Sequence, residues 1–363
     1  MRDKKKRKRK QKSSLLIKVF GIILIVIAML IITGVIIFFL LSYNGKKELQ
    51  KNAGKAPEIP SAMQDIANDN EDDANWQDGW VRYQDKIYEY NESIITFLIM
   101  GIDKQGKVKP AANYQSGGQS DALFLVACDT DKGNISVIPI NRNTMTPIEV
   151  CDKDGNYIDT MTAQITLQHA YGDGMKVSCE RTRDSVSKLF YDLPIHGYCS
   201  LNMGAITTLN DDLGGVEVTV LEDLTMMDER LVEGSDVLLQ GDMAYYYLRK
   251  RHEDEFDSAS KRLERQKQYI SAFLKKLLQT VKHSPTKAID IYQDVIPYVV
   301  TDLEMNEISY FSTLASSFDY SGYQMYSLDG KTVMGERFEE YEIDEQSLYD
   351  LIIKVFYKEV TLP

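Results

Sequence analysis

The sequence predicts a layered α/β domain carried behind a single N-terminal transmembrane helix. Three observations lead there. The segments "IITFLIMGID", "DALFLVACD" and "ISVIPINR" are short apolar runs without alternation, the pattern of strands covered on both faces. Segments of helical period follow them and strands recur further on, so the two element types interleave. Ahead of everything stands an uncharged, predominantly apolar run of 23 residues, Val19 to Leu41.

Residues 1–14 form a basic head. Its first twelve residues, "MRDKKKRKRKQK", hold nine Lys and Arg and one acid, whereas the whole 363-residue chain has a net charge of -12. Residues 15–42 contain the apolar run; at ~1.5 Å rise per residue such a helix crosses a hydrocarbon core ~30 Å thick. The run exceeds a signal-peptide h-region, and no small-x-small site follows before "SYNGKKELQK", so the anchor is expected to stay uncleaved. Basic residues ahead of a first span stay in the cytoplasm, which places everything after Ser42 outside. The head orients the helix, and at 14 residues it is too short for a folded DNA-binding domain; no nucleic-acid partner is expected. Residues 43–78 are polar, acidic and without apolar period, as a solvated linker would be.

The remaining residues, 79–363, read as one domain, because no internal repeat or second linker interrupts them. "WVRYQDKIYEY" alternates around Gln84-Asp85-Lys86 and predicts an edge hairpin. After the three apolar strands, helical periods are expected at about 161–171, 178–191 and 203–213. "LGGVEVTV" predicts another strand, Gly241 to about Arg251 a short helix, and Ser258 to Val281 a long one with Leu263, Ile270, Phe273, Leu274, Leu277 and Leu278 on one face.

Several chemistries are excluded or set aside. The chain has no C-x-x-C pair, its four histidines lack metal-ligand spacing, and neither a G-x-S-x-G elbow nor a Walker loop is present. Of the four cysteines, Cys128 lies in a predicted central strand and reads as a packed thiol. A bridge between Cys151 and Cys179 stays open. "DKDGNYID" at 152–159 resembles the start of a calcium loop, but its Gly falls one position early and a turn is expected.

The cations concentrate in "YYYLRKRHEDEFDSASKRLERQ", residues 245–266. Arg249 and Arg251 stand two apart at the end of one helix, a spacing that does not share a helical face. Arg262 and Arg265 stand three apart on one face near the start of the next, where cations oppose the helix dipole unless an anion is present. A phosphate would supply the anion, and the planar arginine fork suits its oxygens. A surface network with Glu253, Asp254, Glu255, Asp257 and Glu264 is the competing reading.

Arg142 lies just past a buried strand, Asp103 just past the first strand, and Asp121 opens the second. Ligands of open α/β sheets collect beyond the carboxyl ends of strands, which suits Arg142 and Asp103; Asp121 joins them if its strand runs antiparallel to the first. Two carboxylates together with substrate phosphates are the ordinary way to hold Mg²⁺. The group therefore describes a diphosphate site.

At these residues the chain resembles the LytR-CpsA-Psr family of bacterial cell envelopes. The pieces are "FLIMGID", "SDALFLVACD", "IPINRNTMTPI", "ITLQHAYGDG", "LNDDLGGVEVTV", "LLQGDMAYYYLRKR" and "RLERQ", in family order. The resemblance implies a three-layer α/β/α domain with a mixed central sheet. It also implies a Mg²⁺-dependent transferase outside the membrane, moving a glycopolymer such as teichoic acid or capsule from a polyprenyl diphosphate carrier to peptidoglycan. By the same resemblance Asp103 and Asp121 serve the metal, and Arg142, Arg249, Arg251, Arg262, Arg265 and Gln266 serve the diphosphate, with Gln119 beside them. Asp257, or Asp254, is the candidate base for the acceptor hydroxyl.

The chain departs from the family pattern in three places. Asn141-Arg142-Asn143-Thr144 stands where the family has Pro-Arg-Asp-Thr, Gln119 where an Arg often precedes the Ser-Asp pair, and Ala259 where an acid precedes R-x-x-R-Q. A non-catalytic binder of polyprenyl diphosphate or anionic glycan fits these changes, and a membrane-anchored regulator or scaffold is a third alternative.

Overall fold

The computed structural model describes residues 38–49, 56–60, 76–77, 79–250, 255–304, 306–310 and 323–361. The chain divides into two units, Met1–Leu49 with Glu304–Ala315, and Gln50–Leu303 with Ser316–Pro363. In the first, the described residues are helical over 38–49 and 306–310. The expected membrane span lies almost wholly outside the described residues, and among those described no helix is long and apolar enough to cross a membrane.

The second unit opens with the expected hairpin, β1 (Val81–Tyr83) and β2 (Lys86–Tyr90). Gln84 and Asp85 join the two strands at φ 49° and 62°. Positive φ at both central residues is the tight hairpin turn whose twist matches the strands. Then come β3 (Ile94–Ile102), β4 (Ser120–Asp129) and β5 (Asn134–Ile140), the three apolar runs.

The next stretch corrects the sequence reading. In place of a helix over 161–171 the chain forms β6 (Met145–Cys151) and β7 (Tyr157–Gln164), an antiparallel pair, and then a 3₁₀ turn at Ile165–Leu167. "YIDTMTAQ" carries β-branched Ile158, Thr160 and Thr162, which suit a strand. Its apolar Tyr157, Ile158 and Met161 stay exposed, so the helical spacing never meets a core.

Helix α1 (Lys176–Leu189), β8 (Gly197–Asn202), α2 (Gly204–Asp212), β9 (Val216–Thr219), β10 (Asp236–Leu239), α3 (Asp242–Arg249), α4 (Ser258–His283) and α5 (Pro285–Val295) follow. The unit closes with β11 (Val299–Thr301), β12 (Tyr323–Met325), β13 (Gly330–Met334), β14 (Glu339–Ile343), α6 (Glu345–Phe356) and β15 (Tyr357–Glu359).

Among the described residues the central sheet has six strands in the order β11-β8-β3-β4-β5-β12. It is mixed: β3 runs parallel to β8 but antiparallel to β4, and β5 antiparallel to β4 but parallel to β12. The antiparallel β3–β4 pair is the condition under which Asp121 can approach Asp103.

Helices lie against both faces. On one, Leu98, Met100, Leu123, Leu125 and Ile138 pack with Cys179 and Val186 of α1 and with Leu348, Ile352 and Phe356 of α6. Full burial of each such aliphatic side chain contributes roughly 1.5–3 kcal/mol. On the other face, side chains of β3, β4 and β5 meet α2, α3 and α4 around a cavity.

Candidate functional site

The β3–β4 ladder contains the irregularity that builds the site. Gly101 pairs with Ala122 and Ile102 with Ser120, so Asp121 is an extra residue in β4, a β-bulge. A bulge breaks the in-out alternation and re-aims one side chain. Here that side chain is a buried carboxylate, 8% exposed, between two guanidinium groups. Arg142 Nη1 stands 2.8 Å from Asp121 Oδ1, and Arg262 Nη1 3.2 Å from Oδ2. The anion that the sequence demanded near the start of α4 is thus in part a protein carboxylate. Arg142 also donates to Gln119 Oε1.

Asp103 belongs to the same strand ends. Its N–H donates to Gln119 O at 3.0 Å, and its Oδ1 accepts from Gln119 N–H at 2.8 Å. Gly118 makes this approach possible: its φ is +88°, and a Cβ there would meet Asp103 Oδ1 at 2.9 Å. Asp103, Gln119, Asp121, Arg142 and Arg262 therefore form one connected group.

Arg265 and Gln266 do different work. Arg265 is fully buried; it donates to the carbonyls of Tyr247 and Lys250, its Nε lies 2.7 Å from Glu222 Oε1, and its guanidinium stacks 5.6 Å from the Tyr247 ring centre. Gln266 Nε2 donates to Leu248 O at 3.3 Å. Both satisfy carbonyls at the C-terminal end of α3, where a cation is favoured. The R-x-x-R-Q motif thus splits, with Arg262 on Asp121 and the rest splicing α4 to α3. Glu222 and the two α3 carbonyls were not legible as partners, because burial of Arg265 depends on tertiary packing.

Arg249 ends α3, exposed, with its guanidinium 5.6 Å from the Tyr245 ring centre. Tyr245 Oη accepts from Gln105 Nε2 at 2.7 Å. Arg251 and Asp254 lie outside the described residues. Asp257 is the N-cap of α4, and its Oδ1 accepts from Thr332 Oγ1 of β13. Asn141, where the family has Pro, accepts from Asn143 N–H at 2.9 Å and donates to Ser260 Oγ at 3.0 Å, fixing the Arg142 turn to α4.

Beside this polar group lies an apolar cavity of about 440 Å³. Ile99, Phe124, Ile206, Tyr269 and Phe273 are among its walls. Ala122, next to Asp121, and Gln266, next to Arg265, also line it, so the cavity begins where the charged cluster ends. Ile99 is 36% exposed although it stands in the middle of a central strand, because it faces the hollow.

The remaining expectations resolve away from this site. The four cysteines are thiols, so no Cys151–Cys179 bridge is formed. Cys151 Sγ contacts Arg181 Nη1 at 3.2 Å and Tyr114 O at 3.4 Å, whereas Cys179 Sγ faces His169 Nε2 at 3.9 Å. Burial pushes the Cys179 thiol up to about 12. Asp152 accepts from the N–H groups of Asp154 and Asn156, each at 2.9 Å, and makes "DKDGNYID" the turn between β6 and β7. Among the described residues no three His, Cys, Asp or Glu side chains converge as a metal site.

The chain is 31% identical over 211 residues to a polyisoprenyl-teichoic acid–peptidoglycan teichoic acid transferase, TagU, of Halalkalibacterium halodurans, covering 58% of this chain and 62% of that protein. It is 25% identical over 213 residues to TagU of Bacillus cereus, covering 58% and 60%. The chain thus matches about three fifths of the length of these curated relatives. Among solved structures, B. subtilis TagU aligns with TM-score 0.51 and 22% identity over 74% of this chain and 100% of that one. TagT bound to LI-WTA aligns with TM-score 0.53 and 19% identity over 72% and 89%. These structural likenesses establish the shared fold. The LytR_cpsA_psr family matches residues 58–354, and the chain belongs to that family.

Proposed function

We propose that the protein is a membrane-anchored, extracytoplasmic phosphotransferase that moves a glycopolymer from a polyprenyl diphosphate carrier to a hydroxyl of peptidoglycan. One observation carries the reading: the arginines around Asp121 adjoin an apolar cavity, so one ligand with a doubly phosphorylated head and a hydrocarbon tail suits both. The names of the relatives, teichoic acid transferases that act on peptidoglycan, support the same substrate class. The basic head and the apolar run of residues 15–42 support an anchor with the domain outside.

The chain's own groups define the steps. Arg142 and Arg262 are held in place by one shared carboxylate; in this reading they stabilise the negative charge that develops on the departing phosphate oxygens without reorganising. Arg249 is free to turn from the Tyr245 ring toward the phosphates as the carrier enters. The cavity takes the first part of the prenyl chain and keeps water from the reacting phosphorus. Asp257 accepts the proton of the attacking hydroxyl.

Asp103 and Asp121 fit the demand of Mg²⁺ for one or two carboxylates, because the bulge brings both to the same strand ends, and substrate phosphates would supply further oxygens. Mg²⁺ held there would neutralise charge on the phosphate oxygens.

The test is transfer of a teichoic acid fragment from a polyprenyl diphosphate to uncross-linked peptidoglycan by the full chain in detergent. Arg142→Ala and Arg249→Ala are each expected to lower transfer by about 10²-fold or more while the protein stays folded. Transfer retained by both would overturn the reading.

A further inference from the structure

Asp257 holds an uncommon backbone conformation. It opens α4 at φ 61° and ψ 23°, the left-handed region. A non-glycine residue persists there when its surroundings hold it, and such residues concentrate at functional sites. Aspartate at this position normally accepts from an N–H of the first helical turn. Asp257 makes no such bond. Its carboxylate and backbone N–H bond instead to the β13–β14 hairpin, far along the chain: Oδ1 accepts from Thr332 Oγ1, and the backbone N–H donates to Glu339 Oε1 at 2.8 Å.

The hairpin is itself fixed to the arginine side of the site. Tyr341 N–H donates to Asn143 O at 2.9 Å, Thr144 bridges to Tyr341, and Gln164 Nε2 donates to Glu339 O at 2.6 Å. Thr332 is paired with Tyr341 in the β13–β14 register. One element thus ties the turn that carries Arg142 to the residue that opens α4.

We propose that Thr332 and Glu339 are positioning residues for Asp257, and that the β13–β14 hairpin is part of the reaction site. The inference rests on the transferase reading. It also accounts for the departure at Ala259: that position is buried and has no carboxylate, so the acid comes from Asp257, aimed by the hairpin instead of by the helix. In the step itself the acceptor oxygen bonds to the phosphorus that carries the glycan, and the bond from that phosphorus to the carrier's phosphate oxygen breaks. The carrier phosphate leaves with the electron pair, and the hydroxyl proton passes to Asp257. Since Thr332 occupies Oδ1, Oδ2 receives that proton.

The experiment compares Thr332→Val, Thr332→Ser and Asp257→Asn with wild type in the full chain. The donor is a teichoic acid fragment on polyprenyl diphosphate, the acceptor uncross-linked peptidoglycan, and thermal melting reports the fold. Base catalysis contributes about 10²–10⁴-fold, so a misaimed base is expected to lower kcat about 10-fold in Thr332→Val. The donor KM stays unchanged, and Thr332→Ser, which keeps the hydroxyl, restores kcat to within about twofold of wild type. An inactive Asp257→Asn beside a fully active Thr332→Val would overturn the positioning role and leave the transferase reading intact. A fully active Asp257→Asn would overturn it as well, again without touching the transferase reading. A folded wild type that binds donor but transfers nothing would remove both.

Discussion

Leu98 and Ile99 are neighbours on β3, yet Leu98 is fully buried and Ile99 is 36% exposed. The same strands serve two purposes. Leu98, Leu123 and Leu125 point to the face filled by α1 and α6, whereas Ile99, Phe124 and Val126 point to the face where α2, α3 and α4 enclose a cavity. The difference teaches that an unbroken apolar run announces cover on both faces without saying whether the cover makes contact. Here one face is filled and supplies stability, and the other holds the hollow proposed for the carrier's tail.

The largest expected effect sharpens this division at its charged rim. Arg142→Ala should lower transfer by about 10²–10³-fold, the scale of removing one preorganised charge-stabilising donor. Because Asp121 keeps Arg262 as a partner, thermal melting should change little. On the filled face, Leu125→Ala should cost about 2–5 kcal/mol of stability in denaturant unfolding, through lost burial and the cavity left behind. The open face should respond in the opposite sense. Ala122→Phe, whose ring would enter the hollow, should weaken carrier affinity about tenfold or more while leaving unfolding nearly unchanged, since a few lost methylene contacts already reach about 1.4 kcal/mol. Ile99→Ala should cost less than about 1 kcal/mol of stability, because its side chain already faces space. Equal destabilisation by Leu125→Ala and Ile99→Ala would break the comparison.

A smaller effect belongs to pH. Burial pushes His169 and His196 down to about 4. His169 bonds Gly118 O, and His196 Nδ1 accepts from Thr96 N–H at 3.0 Å. In the unfolded chain both titrate near 6.5, so between about pH 6.5 and 4 the unfolded state binds more protons. Stability is therefore complete above about pH 6.5 and declines as pH falls toward 4. His169→Gln should flatten part of that slope in melts recorded across the interval.

Much of the fold was legible. The hairpin at Gln84-Asp85, the three apolar strands and the helices opened by Lys176, Gly204, Asp242 and Ser258 follow from alternation, apolar runs and helical period. The misread stretch was 161–171, where spacing suited a helix while pairing with β6 decided for a strand. At the site, the residue types around Asp103, Asp121, Arg142 and Arg262 were legible because their chemistry is local. The bulge at Asp121 was not, since an extra residue in a ladder exists only relative to the partner strand. The burial of Arg265 was not legible, because the carbonyls it satisfies are created by the end of α3. The bonds of Thr332 and Glu339 to Asp257 span more than seventy residues of chain, which no local pattern reveals.

The most direct test is binding of a short polyprenyl diphosphate to the full chain in detergent, comparing wild type with Arg142→Ala and with Ala122→Phe. Each variant is expected to lose at least about tenfold in affinity, about 1.4 kcal/mol, because in the proposed complex the charged rim holds the head and the hollow face holds the tail. Wild-type affinity in both variants, with the fold intact, would contradict it.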